Sequence, residues 1–168
     1  MRQPVTTIDI RRDLVGLLPR LRRFAMTLAG DAASADELAQ AACERAIAKS
    51  NQWNGEGRLE SWVYTLARQQ WSDDHRRRKP HAVSKTNITD IREASRDRAP
   101  LVDPDVIHRM VSEMPEGTSS AFLLVIVEGH SYQQTADIMG VTINIVVSQL
   151  AAARLHFASI ADNYSHRY

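Results

Sequence analysis

The sequence predicts an all-α protein built from two small helical domains joined by a flexible linker. Apolar residues recur at intervals of three and four in both halves of the chain, which is the periodicity of amphipathic helices. Aromatic residues make up only 6% of the 168, and the abundance of alanine and leucine favours helices over sheets. Residues 80–104 are polar, charged and poor in apolar side chains. We therefore expect domains at 9–79 and 105–160, with a linker at 80–104.

The first predicted helix spans residues 9–29. It carries leucines and a phenylalanine at helical spacing, at positions 14, 17, 18, 21, 24 and 28. Pro19 lies inside this helix and is expected to kink it or to mark a short break, because proline lacks the N–H that a helix interior needs. Gly30 is expected to end it.

A second helix is predicted to begin with a capping box, because Glu37 follows Ser34 by three residues. It is expected to continue to about Lys49. Its apolar stripe is narrow, which lets a neighbouring helix approach closely, and consists of Leu38, Ala39, Ala42 and Ala46.

The third helix of the first domain follows a predicted loop at 50–58, where Gly55 and Gly57 break helical structure. The helix ends in four consecutive cations, Arg76 to Lys79, just before Pro80. One face is apolar, and the spacing predicts that both of its tryptophans are core residues: Leu59, Trp62, Val63, Leu66, Ala67 and Trp71.

The second domain is predicted to hold four helices. Gly140-Val141 forms a tight turn between the last two, and helix, glycine-containing turn, helix is the layout of a helix-turn-helix. The four are a helix at 105–113, an apolar one capped by Thr118, one running from a Ser131–Gln134 capping box to Met139, and a last one capped by Thr142 that runs through Phe157.

The charge distribution differs between the two halves. Residues 1–100 carry 18 Lys and Arg against 13 Asp and Glu, whereas residues 101–168 carry three against seven. A polyanion is therefore expected to prefer the N-terminal half. The start of the chain lacks the apolar core of a secretion signal, and no run reaches the roughly 18 uncharged apolar residues of a membrane span. We expect a cytoplasmic protein without membrane insertion.

Catalytic and metal chemistry find no support in the sequence. Cys43 is the single cysteine, and the six histidines form neither an HExxH nor an HxH pattern. There is no nucleophile–base pair and no glycine-rich phosphate loop. The chain is therefore predicted to be no enzyme and to need no metal or cofactor.

Three stretches, taken in order, resemble the extracytoplasmic-function (ECF, group IV) family of RNA polymerase sigma factors. Residues 17–46 are similar to the start of the family's region 2, and residues 58–78 to its end. Residues 114–141, MPEGTSSAFLLVIVEGHSYQQTADIMGV, are similar to region 4. The resemblance implies a three-helix region 2 and a four-helix region 4 that contains the helix-turn-helix.

The resemblance also implies that the second helix docks on the clamp helices of the polymerase β′ subunit. Opposite charge would steer and orient this contact. An ordinary acidic first turn, favoured by the helix dipole, is the alternative. Ala39 and Ala41 stand where the family usually has Val and Glu. The residues implied in polymerase binding are Asp36, Glu37, Leu38, Gln40 and Glu44.

Strand opening at the −10 element is implied for the third helix and the loop before it. Opening a duplex requires a site for extruded bases and a track for phosphates. Trp53 is the candidate for stacking. Gln69, Ser72 and His75 replace residues that are usual in the family. The residues implied in −10 binding are Trp53, Asn54, Arg58, Tyr64, Thr65, Arg68, Gln69, Arg76, Arg77 and Arg78.

The last helix is implied to enter the major groove of the −35 element, and its domain to contact the β flap. Val147, Gln149 and Ala152 stand where the family often has Lys or Arg, so we expect weak DNA binding by this domain alone. Its uncharged polar side chains can still form hydrogen bonds with base edges. The candidate residues are Thr142, Asn144, Ser148, Gln149 and Arg154.

Two functions remain open from the sequence. The first is an alternative sigma factor that binds core RNA polymerase, selects promoter DNA and opens it; the family also implies an anti-sigma partner. The second is a sigma-like mimic, an anti-anti-sigma module that sequesters the anti-sigma factor without binding DNA. The weakly charged last helix favours the mimic, whereas the basic run that ends the third helix favours the sigma factor.

Overall fold

The computed structural model describes residues 7–77, 113–115 and 117–165, and in these residues there are helices and no β-strand, so the all-α prediction is confirmed. Two compact units are present, one within residues 1–86 and one within 87–168. The predicted linker at 80–104 lies outside the described residues, as does the predicted helix at 105–113 except for Glu113, which is in a turn. The helices are α1 (Thr7–Ala29), α2 (Ala32–Ala48), α3 (Leu59–Arg77), α4 (Thr118–Phe122), α5 (Tyr132–Met139) and α6 (Ile143–Ser165).

Helix α1 contains Pro19 but is continuous from Thr7 to Ala29, so the predicted break is absent. Proline leaves the carbonyl of the residue four positions earlier without its N–H partner. Pro19 is exposed and the residue four positions before it, Val15, is 67% exposed. Because this side of the helix faces water, solvent can replace the missing donor.

Helix α2 begins earlier than predicted because Asp31, and not Ser34, is its N-cap. The Asp31 Oδ1 accepts a hydrogen bond from the backbone N–H of Ser34 at 2.8 Å. An aspartate directly after the Gly30 turn satisfies a free N–H of the first helical turn. The capping-box prediction at Ser34 and Glu37 is therefore wrong, although the helix it predicted is present.

The first unit packs its three helices around a small-residue stripe on α2. Every predicted member of that stripe is buried, and α2 contacts both α1 and α3. Two aromatic rings join α1 to α3, since Phe24 and Tyr64 have centroids 4.8 Å apart and no solvent exposure. The alanines allow the close helix approach that this packing requires.

Helix α4 begins after Gly117, which adopts a left-handed φ of 79°. Thr118 was predicted to cap this helix, but it is a helical residue with 2% exposure and lies in the core of the second unit. That prediction is wrong because a glycine, with its freedom at positive φ, occupies the capping position. The apolar segment continues into a π-helical turn at Leu123–Val127.

The helix-turn-helix is present as predicted. The Ser131 Oγ accepts from the Gln134 N–H at 3.1 Å, and the Gln134 Oε1 accepts from the Ser131 N–H at 2.9 Å, which completes the capping box of α5. Gly140 then turns the chain with a φ of 66°. The Thr142 Oγ1 accepts from the Ile145 N–H at 3.4 Å at the start of α6.

Helix α6 is long and apolar enough to cross a membrane by length and composition, over Ile143–Asn163. A core helix of a water-soluble protein passes the same test, so this is weak evidence for a span. Val146, Leu150 and Ala153 of this helix are buried inside the second unit.

Candidate nucleic-acid and protein interfaces

The exposed side of α2 is acidic, as the sequence predicted. Asp36, Glu37, Gln40 and Glu44 are all exposed. Gln40 donates from Nε2 to the Glu44 Oε1 at 3.1 Å, and Asp36 pairs with Arg22 of α1 at 3.0 Å, with both side chains about 60% exposed. These are solvent-facing contacts, which contribute little to stability and leave the surface open to a partner.

Leu38 differs from the other residues implied in polymerase binding. It has 4% exposure and belongs to the stripe that packs α2 in the core. A buried side chain cannot touch a docked protein, so Leu38 is corrected from a contact residue to a packing residue. Its position between Glu37 and Gln40 fixes the outward orientation of both neighbours.

The loop before α3 holds Trp53 against another tryptophan. A 3₁₀ turn at Ser50–Gln52 leads into Trp53, whose ring centroid lies 5.4 Å from that of Trp62. Both residues are half-buried. Trp53 is therefore a packing residue on one side and a partly accessible ring on the other, and Trp62 lies at the edge of the predicted core, not inside it.

Asn54 is exposed and organises the tip of this loop. Its Oδ1 accepts from the Glu56 N–H at 2.9 Å, and its Nδ2 donates to a Glu56 carboxylate oxygen at 3.2 Å. Gly55 between them has a φ of 77°. The side-chain amide mimics a backbone turn, so the loop presents a defined shape next to Trp53.

Arg58 forms part of an ion-pair cluster at the start of α3. Its Nη2 lies 2.7 Å from the Glu60 Oε1, and the Arg20 Nη2 of α1 lies 3.4 Å from the same oxygen. Partial burial by itself would raise the pKa of Glu60. Hydrogen bonds from the backbone and Arg58, together with the charges of Arg58 and Arg20, instead hold that pKa below its ordinary value.

We expect Glu60→Gln to lower the free energy of unfolding by about 1 kcal/mol at pH 7. Since the folded-state pKa of Glu60 is lowered, its contribution is fully present above the unfolded-state pKa and is lost as the pH falls through the folded-state value. Urea unfolding at pH 7 and at an acidic pH where Glu60 is protonated in both the folded and the unfolded chain measures both values. A difference between the two proteins that persisted at low pH would contradict the ion-pair explanation.

The outward side of α3 carries the remaining predicted −10 residues. Thr65 donates to the Ser61 carbonyl at 2.9 Å, and Arg68 donates to the Ser72 hydroxyl. Gln69, Arg76 and Arg77 are exposed, and Arg78 lies outside the described residues. Four of these predicted residues and Ser72, which was not predicted to bind the −10 element, lie along one side of α3. We call them the α3 polar stripe: Thr65, Arg68, Gln69, Ser72 and Arg76.

Tyr64 does not belong to this surface. It has no solvent exposure, and its ring packs on Phe24 in the centre of the first unit. The prediction that Tyr64 reads base edges is therefore wrong. Tyr64 is next to Thr65 in sequence, but adjacent helical residues point about 100° apart, so one faces the core and the other faces outward.

The exposed side of α6 is almost uncharged. Thr142, Asn144, Ser148 and Arg154 are exposed, and Arg154 is the only cation from 117 to 165. Three apolar residues that sequence reasoning did not include are also exposed by 40–46%, namely Ile143, Ile145 and Val147. The sequence signal that could have identified these exposed residues is a run of β-branched residues at the start of a helix with little charge.

Gln149 faces inward and is corrected from a base-reading residue to a packing residue. Its Oε1 is buried and has no hydrogen-bond partner. Its Nε2 would lie 2.3 Å from a Cβ built on Gly117. The amide therefore occupies the space that a glycine leaves at the turn before α4, which couples that turn to α6.

Val147→Lys and Gln149→Lys are expected to have different effects because only Val147 faces water. The exposed lysine should make the negative slope of log affinity against log salt concentration for duplex DNA steeper by about 0.9. The inward lysine should lower the free energy of unfolding by about 2 kcal/mol, because it moves a charge towards the core. Salt-dependent fluorescence anisotropy and urea unfolding separate the two. Equal slopes for Val147→Lys and the parent chain would indicate that α6 makes no DNA contact.

No group of three or more His, Cys, Asp or Glu side chains that could hold a metal ion occurs in the described ranges. The Cys43 thiol is half-buried, and burial followed by the nearby Glu44 charge raises its pKa. It therefore remains a protonated packing group at neutral pH.

Two family models match the chain in order. Sigma-70 region 2 matches residues 15–81, and Sigma-70 region 4 matches residues 105–157. A curated relative, ECF RNA polymerase sigma factor EcfG of Rhodopseudomonas palustris, is 24% identical over 155 residues, which cover 92% of this chain and 86% of the relative.

Solved structures have the same fold. The sigma factor RpoE of Bartonella quintana, in complex with the anti-sigma factor NepR, matches with a TM-score of 0.72 and 22% identity over 92% of this chain and 97% of that one. The anti-anti-sigma factor PhyR of the same organism, also with NepR, matches with a TM-score of 0.54 and 20% identity over 86% of this chain and 47% of that one. With both regions matched in order and a sigma factor aligned along nearly the whole chain, this protein belongs to the ECF group of the RNA polymerase sigma factor family.

Proposed function

We propose that this chain is an alternative sigma factor that binds core RNA polymerase through α2 and opens promoter DNA with α3 and the loop before it. The observation that carries this proposal is the packing of the first unit. The buried alanines of α2 face its core, so that α2 presents an acidic face to solvent and α3 presents a polar, cationic one. The polymerase forms the phosphodiester bonds, and this chain supplies promoter choice and strand separation. It is therefore a non-enzymatic subunit.

The α2 face is proposed to dock on the clamp helices of the β′ subunit. Asp36, Glu37, Gln40 and Glu44 are all exposed, and none is locked into a buried contact. Basic clamp helices would be attracted to this surface at long range and oriented by it at contact. The Asp36–Arg22 pair is open to solvent and can exchange for a polymerase cation.

The −10 element is proposed to be held by the α3 polar stripe and the Trp53 loop. A base extruded from the duplex requires a stacking partner and a hydrogen-bonding edge. The accessible side of Trp53 offers the first, and Asn54, one residue on, offers the second. Arg68, Arg76 and Arg77 supply positive charge for the strand that carries the base.

Trp53→Ala is expected to leave polymerase binding intact and to reduce promoter opening by roughly fivefold or more, because a lost stacking contact costs about 1 kcal/mol or more. Permanganate reactivity of unpaired thymines measures the opening. Trp53→Phe is the matched control, since a smaller ring still packs on Trp62. Unchanged opening in Trp53→Ala would leave Trp53 with a packing role alone.

The second unit is proposed to contact the −35 element through α6 and the β flap through its remaining surface. Asn144 and Ser148 lie on the outward side of α6 and can bond base edges without charge. Because Arg154 is the only cation on this helix, phosphate contacts contribute little to its affinity. Polymerase must then supply much of the affinity of the complex for DNA.

An anti-sigma protein is proposed as a regulator. RpoE, which shares this fold, was solved with the anti-sigma factor NepR. The exposed apolar residues at the start of α6, Ile143, Ile145 and Val147, suit a protein contact better than a phosphate backbone. Such a partner would cover surfaces that are needed for polymerase or promoter.

One set of observations favours a second candidate, the sigma-like mimic. Gln149 points inward and α6 carries a single cation, so its groove-facing side lacks the charge that DNA binding uses. PhyR, an anti-anti-sigma factor, also shares the fold, and this chain matches 47% of its length. The exposed Arg76 and Arg77 of α3 favour the sigma factor, because a decoy has no use for a phosphate track.

Run-off transcription separates the two candidates. Purified core polymerase is mixed with genomic fragments, with or without this chain, and new RNA 5′ ends are sequenced. A sigma factor produces discrete start sites that depend on the chain. The absence of such start sites, combined with release of a known sigma factor from its anti-sigma partner, would replace the sigma proposal with the mimic.

A further inference from the structure

A second aromatic pair lies near the C-terminal end of α3, away from the Trp53 loop. The rings of Trp71 and His75 have centroids 5.6 Å apart and planes inclined by 35°. Trp71 is half-buried and His75 is exposed. The tryptophan therefore anchors the pair in the first unit, while the imidazole presents a ring face to solvent.

Two arginines lie on or next to the side of α3 that carries His75. Arg76 follows His75 directly and is exposed, and Arg68 lies two turns earlier on the same side of the helix. Two acids directly precede His75. Arg45 of α2 lies 3.4 Å from Asp73 and offsets its charge, whereas Asp74 accepts a hydrogen bond from the uncharged amide of Gln70 at 3.2 Å, so the two arginines outnumber the one remaining carboxylate. The surface next to His75 therefore favours an anion.

An aromatic ring backed by a second ring, with arginines beside it, is the combination that single-stranded nucleic acids recognise. Bases stack on the ring while the cations follow the phosphates. A duplex fits this surface less well, because its bases are already stacked on each other. The helical rise places Trp71 about 13 Å along α3 from Trp62, so the two aromatic pairs are separate sites.

We propose that the Trp71–His75 pair is a second stacking platform, which binds one base of the separated DNA strand while Arg68 and Arg76 hold the adjoining phosphates. This rests on the proposed function, since a separated strand is present only at an opened promoter. His75 is then a residue that holds the strand, not one that reads base pairs.

The test measures binding of a fluorescein-labelled, random-sequence 15-nucleotide single strand to the full chain by anisotropy at low salt. His75→Ala should weaken binding by roughly fivefold or more. His75→Phe, which keeps a stacking ring without the charge, should bind within about twofold of the parent chain. An abasic strand of equal length should not distinguish His75→Ala from the parent. Circular dichroism checks that each variant is folded.

Three results of the binding assay would overturn the platform. The first is no measurable binding of the strand by the parent chain. The second is restoration by His75→Lys but not by His75→Phe, which would indicate a charge contact. The third is a loss of affinity in His75→Ala that is as large for the abasic strand as for the random-sequence strand. Run-off transcription is scored separately: chain-dependent start sites with no effect of His75→Ala would sink the platform alone, whereas strand binding without any start site would sink the sigma proposal.

Discussion

Glu37→Arg combined with Gln40→Ala is expected to weaken binding to core RNA polymerase by roughly 100-fold, which corresponds to about 2.7 kcal/mol. Both side chains are exposed on α2, so the substitutions change the docking surface without touching the core. The new arginine would face the basic clamp helices of β′, and like charge at a contact costs more than the loss of an attraction. Biolayer interferometry with immobilised core enzyme measures the affinity.

Asp13→Arg is the matched control for this variant. It reverses an exposed acid on α1 of the same unit and changes the net charge equally. A nonspecific charge effect would lower both affinities alike, whereas the docking proposal expects less than about a threefold change for Asp13→Arg. Normal polymerase binding by the α2 variant, with normal helicity, would remove α2 from the interface.

Tyr64→Ala is expected to lower the free energy of unfolding by about 4 kcal/mol. The ring has no solvent exposure and packs on Phe24, so its removal leaves a cavity where α1 meets α3. Typical small domains have only 5–15 kcal/mol of total stability. Much of the free energy of unfolding of the first unit would therefore be lost. Urea unfolding followed by far-ultraviolet circular dichroism gives the change.

Tyr64→Phe separates packing from base recognition. It keeps the ring and removes the hydroxyl, and is expected to cost less than about 1.5 kcal/mol. If Tyr64 contacted promoter bases, Tyr64→Ala would leave the fold intact and reduce opening selectively. A stable Tyr64→Ala protein with defective opening would contradict its assignment to the core.

The exposed acidic face of α2 and the helix-turn-helix were predictable because each depends on local signals. Helical periodicity located α1, α2 and α3 to within a few residues. The Ser131–Gln134 capping box and the Gly140 turn are made by residues close in sequence, so the pattern and the structure agree. The prediction of Ser34 as the cap of α2 was wrong because Asp31, three residues earlier, is an equally good capping residue and occupies that position.

The candidate residues that changed role are those whose surroundings come from a distant part of the chain. Leu38 is the exception, since it already belonged to the predicted apolar stripe of α2. Tyr64 is followed by the half-buried Thr65, and only its packing on Phe24 of α1 shows that its ring is in the core. Gln149 has a polar side chain in a helix expected to face DNA. Its amide oxygen is buried, and its Nε2 has room only because Gly117, 32 residues earlier, has no side chain.

The sequence by itself determined the helical class of this protein, the approximate position of its helices, and the family to which it belongs, because periodicity, capping residues and motif order act over a few residues. Tertiary structure alone decided that the ring of Tyr64 and the amide oxygen of Gln149 are buried. A helix has more than one plausible buried side until another helix packs against it, and the energy of that choice comes from apolar area and cavities shared between distant segments.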